Sequence, residues 1–349
     1  MKRDEIITLV DQGEVISKAD LTKEDLTGAD LSGGIFEGVN FDGASLRGAS
    51  FLDSVLVKCS LKDADLHKVN FCKVSMHECD FSGCDLSATM FEKARISYSN
   101  FSGADLKQAN LHSAAFAKCS LKKTKFHATR LLQTVFADSE TCANDFSAAQ
   151  MQRTVLMKAD LTAANLDDCT FDTVIFIEAN LAGQDLSGKQ FLTCQFTEAD
   201  LSQCNLSRSK IVQCNFKGAN LQGARMDHCM ANNALFVEAD LKKSVAVGGR
   251  FSQSIFMDAN LDGADFSGSD MQQCILKNAK CVATRFERAN LTYADFSHAD
   301  LTSASLSNAV LFRANLHGVN DQGALIDDRK SALGVDKDLL AAENWVPQY

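Results

Sequence analysis

The chain has 349 residues, 46% of them hydrophobic, and its 35 basic and 45 acidic side chains leave a formal charge of −10. That is apolar enough for a large buried core, and too acidic for simple binding to nucleic-acid phosphates, which calls for a cationic face. There is one proline, Pro347, where about 5% is usual, as expected of a fold in which nearly every N–H joins a hydrogen-bond ladder.

In chain order, the first element is a short helix over residues 3–11, with Ile6, Ile7 and Val10 on one side. Residues 1–16 read as an N-terminal capping segment. The apolar run is too short for a membrane span and lacks the cleavage pattern of a secretory signal. The expectation is a bacterial cytoplasmic protein, with export by a route that cleaves no signal left open.

From Leu21 to Leu316 every fifth residue is Leu, Phe, Met or Ile, except at Thr141, Ala231, Ala246 and Cys281. The series has sixty positions and no insertion or deletion. Two residues before nearly every one of these centres the side chain is small, as at Ala19, Ala29, Ala104 and Ala259, and between the two Asp or Asn recurs, as in Ala29-Asp30-Leu31 and Ala109-Asn110-Leu111. A period of five fits neither the 3.6 of a helix nor the 2 of a long strand. It fits one short extended side of a square coil, with the centre and the residue two before it facing inward and a turn following. Glycines such as Gly28, Gly33 and Gly43 fall at the corners. Four sides make a coil of twenty residues, so the sixty repeats correspond to about fifteen coils stacked as a parallel, all-β solenoid, for which right-handed winding is favoured. Twenty-two of the 23 phenylalanines occupy centres, so they are read as core rather than as stacking platforms for bases.

These residues resemble the pentapeptide-repeat family, whose motif reads A(D/N)LXX. The resemblance covers residues 17–320 and implies that family's fold, a right-handed quadrilateral β-helix. The opening, from Asp4 through Ala19-Asp20-Leu21-Thr22-Lys23-Glu24-Asp25-Leu26 to Gly33, is similar to the loop-free members associated with bacterial type VI secretion. In that group a short helix precedes the rod.

Open ladder edges at the ends of such a stack need covers. Residues 321–349 read as a C-terminal capping segment. Within it Asp336 is a helix N-cap, Leu339 and Leu340 form an apolar face, and Trp345 lies just beyond. The family resemblance adds the possibility of dimerisation through this segment.

No arrangement of catalytic residues is found. Of thirteen cysteines, ten (Cys59, Cys79, Cys84, Cys119, Cys169, Cys194, Cys204, Cys214, Cys229, Cys274) hold the small inward site and Cys281 is a centre, leaving Cys72 and Cys142 outward. They act as small hydrophobes. The seven histidines fall in outward slots or corners, without zinc-type spacing or a nucleophile–base pairing. Phosphate-loop glycines are missing as well. The chain is therefore read as no enzyme, with no catalytic residue, no metal ligand, no cofactor, no small-molecule substrate and no membrane span.

Two outer features stand out. Between Leu106 and Ala137 no acidic residue occurs, whereas Lys107, Lys118, Lys122, Lys123, Lys125 and Arg130 make a basic band. On the side of the coil that carries Phe36, residues flanking the centres are apolar: Val135, Val155, Met157, Ile175 and Ile177, then Leu235, Val237, Ile255, Met257 and Ile275. Contiguous outer apolar surface marks an interface, although strand propensity alone would also favour β-branched residues there.

The expected function is a non-catalytic protein-binding scaffold or adaptor, with a protein partner, a second copy or both. The resemblance places it as an accessory of a secretion system. Two alternatives remain at this stage. One is a nucleic-acid mimic that binds DNA gyrase, as the gyrase-protecting members of the family do; the −10 charge suits it, the basic band and apolar stripe do not. The other is a secreted effector that binds host proteins.

Overall fold

The computed structural model describes residues 2–345. Its contacts divide the chain into two compact units, Met1–Asn180 and Leu181–Tyr349.

The first unit opens with helix α1, Arg3–Asp11, where the sequence places it. The Glu5 carboxylate accepts the Lys2 backbone N–H at 3.3 Å, and Ile6 and Val10 are buried. The chain then winds in coils of twenty residues. Short strands β1 (Val15–Ser17), β2 (Ile35–Glu37), β3 (Val55–Val57), β4 (Ser75–His77), β5 (Arg95–Ser97) and β6 (Ala115–Ala117) occupy one side. With β8 (Val135–Ala137) they pair in parallel, each residue opposite the one twenty further on. On a second side β7 (Arg130–Leu132), β9 (Gln150–Gln152) and β10 (Thr170–Asp172) pair in the same way. Elsewhere a single residue per side forms the bridge, as Asp25↔Ser45 and Asp65↔Asp85 do.

The second unit continues this period through bridges such as Asp185↔Asn205, Asn260↔Lys280 and Asp300↔Asn320. The fold is thus a β-solenoid of stacked parallel coils with few helices. Paired strands account for fewer turns than the fifteen expected from the repeat count, because most sides are only one bridge residue long.

The repeat letters follow from the geometry. Centres are sealed: Leu21, Phe36, Phe41 and Leu61 have no exposed surface. The Asp or Asn before each centre accepts the N–H two residues on, as Asp20 does from Thr22 at 3.0 Å and Asn40 from Asp42 at 2.9 Å. This side-chain turn closes the corner, and the Thr22 hydroxyl and N–H hold the Asp20 carboxyl below its ordinary value. The small inward site bonds to the preceding coil: the Thr124 hydroxyl donates to Phe101 O at 2.8 Å, and Cys84 Sγ to Leu61 O at 2.7 Å. The site favours small residues, and where a long one stands, at Glu24, Gln184 and Lys189, it is half-buried instead of sealed.

Corner residues take left-handed backbone whether or not they are glycine. Lys23 (φ 58°), Ala128 (φ 54°) and Gln253 (φ 63°) share it with Gly28 (φ 64°). Ladder bonds to the neighbouring coil hold them there against a cost of about 1 kcal/mol each.

At its end the second unit departs from expectation. Helix α2, Lys337–Glu343, forms as predicted, with the Asp336 carboxylate accepting the N–H groups of Asp338 (3.0 Å) and Leu339 (3.1 Å). It does not bury its apolar face: Leu339 is 46% exposed, Leu340 39% and Trp345 71%. The last coil is covered instead by residues 329–333. Arg313 and Leu316 donate their N–H groups to Ser331 O (2.8 Å) and Leu333 O (2.9 Å), and Leu333 donates to Ala314 O (2.8 Å). Pro347 lies outside the described residues.

Candidate functional site

The apolar stripe is real as a register. In the first unit Val135 bridges Val155, and Val155 bridges Ile175; in the second Leu235 bridges Ile255, and Ile255 bridges Ile275. All of these flank buried centres (Phe136, Leu156, Phe176, Phe236, Phe256, Leu276) and so point outward. They are less exposed than isolated outward residues would be. Met157 (36%) and Leu235 (37%) are open, while Val135, Val155, Ile175, Ile177, Val237, Ile255, Met257 and Ile275 are half-buried. At one strand spacing, about 4.8 Å, each side chain shelters the next.

The six basic residues are all exposed, but they are spread over all four sides of the coils. Lys122 pairs with Glu140 at 2.9 Å and Lys125 with Asp105 at 3.7 Å, both acids belonging to neighbouring coils. Lys118 donates to the Tyr98 hydroxyl at 3.3 Å and lies 5.4 Å from the ring centroid. The band encircles the coil, with two of its charges matched by acids just outside it.

Ten of the eleven cysteines read as inward are buried, with Cys169 half-buried. Burial pushes the Cys84, Cys204, Cys229 and Cys274 thiols up to about 12 and that of Cys119 to about 11. Cys142 is exposed, as expected, but Cys72 is only half-exposed and burial raises its thiol too. At pH 8 a thiol near 12 has a thiolate fraction lower by about three orders of magnitude than one at 8.5. Maleimide labelling of the folded protein is therefore expected to mark Cys142 first and Cys72 well behind it. Rapid modification of ten or more thiols, read by mass spectrometry, would contradict the packing.

The histidines hold the main surprise. His317, read as outward, is 1% exposed. Its Nε2 lies 3.0 Å from Glu343 Oε2, and His298 Nε2 lies 3.1 Å from Glu343 Oε1. Two coil side chains and one from α2 thus converge. The signal in the sequence is faint: His298 and His317 are nearly one coil apart, so they lie on successive turns, and nothing before folding points to Glu343.

Residues 24–101 match the family described as pentapeptide repeat region, and segments covering 89–127 and 145–320 match pentapeptide repeats. Among solved structures the chain is similar to HetL, a pentapeptide repeat protein involved in heterocyst differentiation regulation from the cyanobacterium Nostoc sp. strain PCC 7120. The identity there is 20%, over 96% of this chain and 98% of that one, with a TM-score of 0.21. It is similar to full-length QnrB1, a plasmid-mediated fluoroquinolone resistance protein (18% identity, 72% and 91% coverage, TM-score 0.18). A pentapeptide repeat protein from the Arabidopsis thaliana thylakoid lumen is 33% identical over 33% of this chain and 67% of its own (TM-score 0.13). No curated protein matches in sequence. With most of its length matched by the repeat, and with the coil geometry that the repeat specifies, the chain belongs to the pentapeptide-repeat family.

Proposed function

We propose that this protein is a non-catalytic scaffold that binds another protein through the apolar stripe. The observation that carries this is the outward run of Val135, Val155 and Ile175 in one unit and of Leu235, Ile255 and Ile275 in the other, on regular sides of the coils. Burying such side chains on association yields about 25 cal/mol per Å² of apolar surface. Among the described residues no helix is long and apolar enough to cross a membrane. An accessory or adaptor role beside a type VI secretion apparatus, with the protein held in the bacterial cytoplasm, is the finer form of the proposal; it rests on the likeness of the opening residues.

The test replaces Ile175, Ile177, Leu235 and Ile255 with serine, against a control quartet on the side of Asp265 and Ser267. None of the four points inward, so far-UV circular dichroism should be unchanged. Self-association in size-exclusion chromatography and capture of partners from lysate should be lost in the stripe variant alone. Unfolding of that variant would show that the stripe belongs to the core. A folded variant that keeps every partner would move the binding surface elsewhere.

A further inference from the structure

We propose that His298, His317 and Glu343 form a binding site for a divalent first-row transition ion, zinc foremost, which fastens α2 to the last coils. The side-chain ligand atoms lie within 4.8 Å of one another, and each imidazole Nε2 is already within hydrogen-bond distance of a different Glu343 oxygen. A tetrahedral zinc ion with bonds of 2.0–2.1 Å sets its donors about 3.4 Å apart, so small side-chain motions suffice. Two imidazoles and a carboxylate are donors suited to zinc, cobalt or nickel, whereas calcium and magnesium take oxygen ligands. The half-exposed His298 and Glu343 leave a fourth position for water.

The surroundings are built around these rings. His298 N–H donates to His317 O at 2.9 Å, fixing the two residues side by side, and the rings meet edge to face at 5.4 Å. Gly318 leaves room for the His298 ring: a Cβ there would lie 2.5 Å from His298 Nδ1. Glu343 places one carboxylate oxygen against each imidazole, so both rings and the carboxylate face a common point. In the metal-free chain Asp336 N–H donates to His317 Nδ1 at 3.1 Å, which leaves the ring proton on Nε2, facing Glu343. Zinc uptake takes the Nε2 lone pair and moves that proton to Nδ1. Nδ1–H then faces the Asp336 N–H, so zinc uptake displaces that hydrogen bond. The ion would also supply what α2 lacks, since its leucines stay exposed.

The experiment uses the full chain, stripped with chelator and titrated with zinc chloride by calorimetry, with cobalt(II) as the spectroscopic probe. One equivalent of zinc should bind, magnesium and calcium should not compete, and cobalt should give tetrahedral absorption without sulfur charge-transfer bands. H298A and E343Q alter exposed groups and should stay folded by circular dichroism. Each should weaken zinc by at least about 100-fold, beyond the 10–100-fold typical of residues behind a ligand. Gly318→Ala, at a corner where Ala128 and Ala283 already adopt φ 54°, should weaken it about tenfold by displacing the His298 ring. Absence of stoichiometric binding would overturn the proposal. So would an affinity unchanged in H298A and E343Q, or a cobalt spectrum dominated by thiolate bands that C142S removes.

Discussion

Replacing Phe216 with alanine is expected to cost about 3–5 kcal/mol of stability, whereas Phe216→Leu should cost less than about 1.5 kcal/mol. Phe216 is fully buried and stacked between Phe196 (4.8 Å, 2° between planes) and Phe236 (5.0 Å, 5°). Truncation leaves a void between two rings, and neither can close it, because ladder bonds hold its coil on both sides: Phe216 N donates to Leu235 O at 2.6 Å and Phe196 N to Asn215 O at 2.7 Å. Leucine fits because the same column of this unit carries Leu276 at an equivalent centre. Urea denaturation of the two variants measures the difference. A loss below about 1 kcal/mol for the alanine variant would mean that the coils collapse onto the gap, and that the rings fill space without supporting the stack.

The coil was legible because one physical requirement writes itself sixty times. Each centre must fill the interior, nearly every residue two before it is small enough to pass the neighbouring coil, and each Asp or Asn between them closes a turn. The corners were legible only in part. Gly28 and Gly43 announce left-handed backbone, but Lys23, Lys118 and Gln253 adopt it as well, since their conformation is imposed by bonds to the adjacent coil and not by their own preference. The C-terminal helix was legible from Asp336 as N-cap, while its failure to bury Leu339 and Leu340 was not, because docking is decided by what residues 329–333 already cover.

The candidate sites divide along the same line. The stripe follows from register, which sequence fixes whenever one face is buried; its partial shelter follows from coil spacing, which single residues do not reveal. The basic band looked continuous along the chain, yet its residues fall on different sides of the coil, and Lys122 and Lys125 meet acids about twenty residues away. The histidine–glutamate cluster joins His298, His317 and Glu343 from two coils and a helix, so no short-range spacing rule could have found it.

The amides of Thr141, Ala143 and Asp160 are expected to exchange with solvent at least about 1,000-fold faster than those of Leu121 and Phe126. In the neighbouring repeats the N–H of a centre reaches the carbonyl nineteen residues on: Leu121 to Glu140 at 2.8 Å, Phe126 to Asp145 at 2.6 Å. Among the described residues, Thr141, Ala143 and Asp160 N–H make no such bond, and the bridge series runs from Ser120 to Glu140 and from Asp160 to Asn180 without joining Glu140 to Asp160. Two residues explain the breach. Threonine is a short centre, and its hydroxyl takes the Asp160 carbonyl (3.4 Å) that its N–H would have reached. Asn144 is oversized for the small inward site; its amide donates to Leu121 O at 2.5 Å, and its Oδ1 is buried without a partner. A cavity of about 390 Å³ opens there, lined by Lys122, Asp138, Thr141 and Asp160 among others. Ala231 and Ala246 are short centres too, but there the ladder is intact: Ala231 N reaches Arg250 O and Ala246 N reaches Asp265 O, both at 2.7 Å. Phe251 leans into the space beside Gly249, where a Cβ would lie 2.5 Å from its ring, and no oversized polar group intrudes. Combining Thr141→Leu with Asn144→Ala restores the repeat and should slow exchange across 138–160, measured by mass spectrometry. Equally fast exchange at Ala231 in the native chain would show that centre size alone, and not the broken ladder, governs where the stack opens.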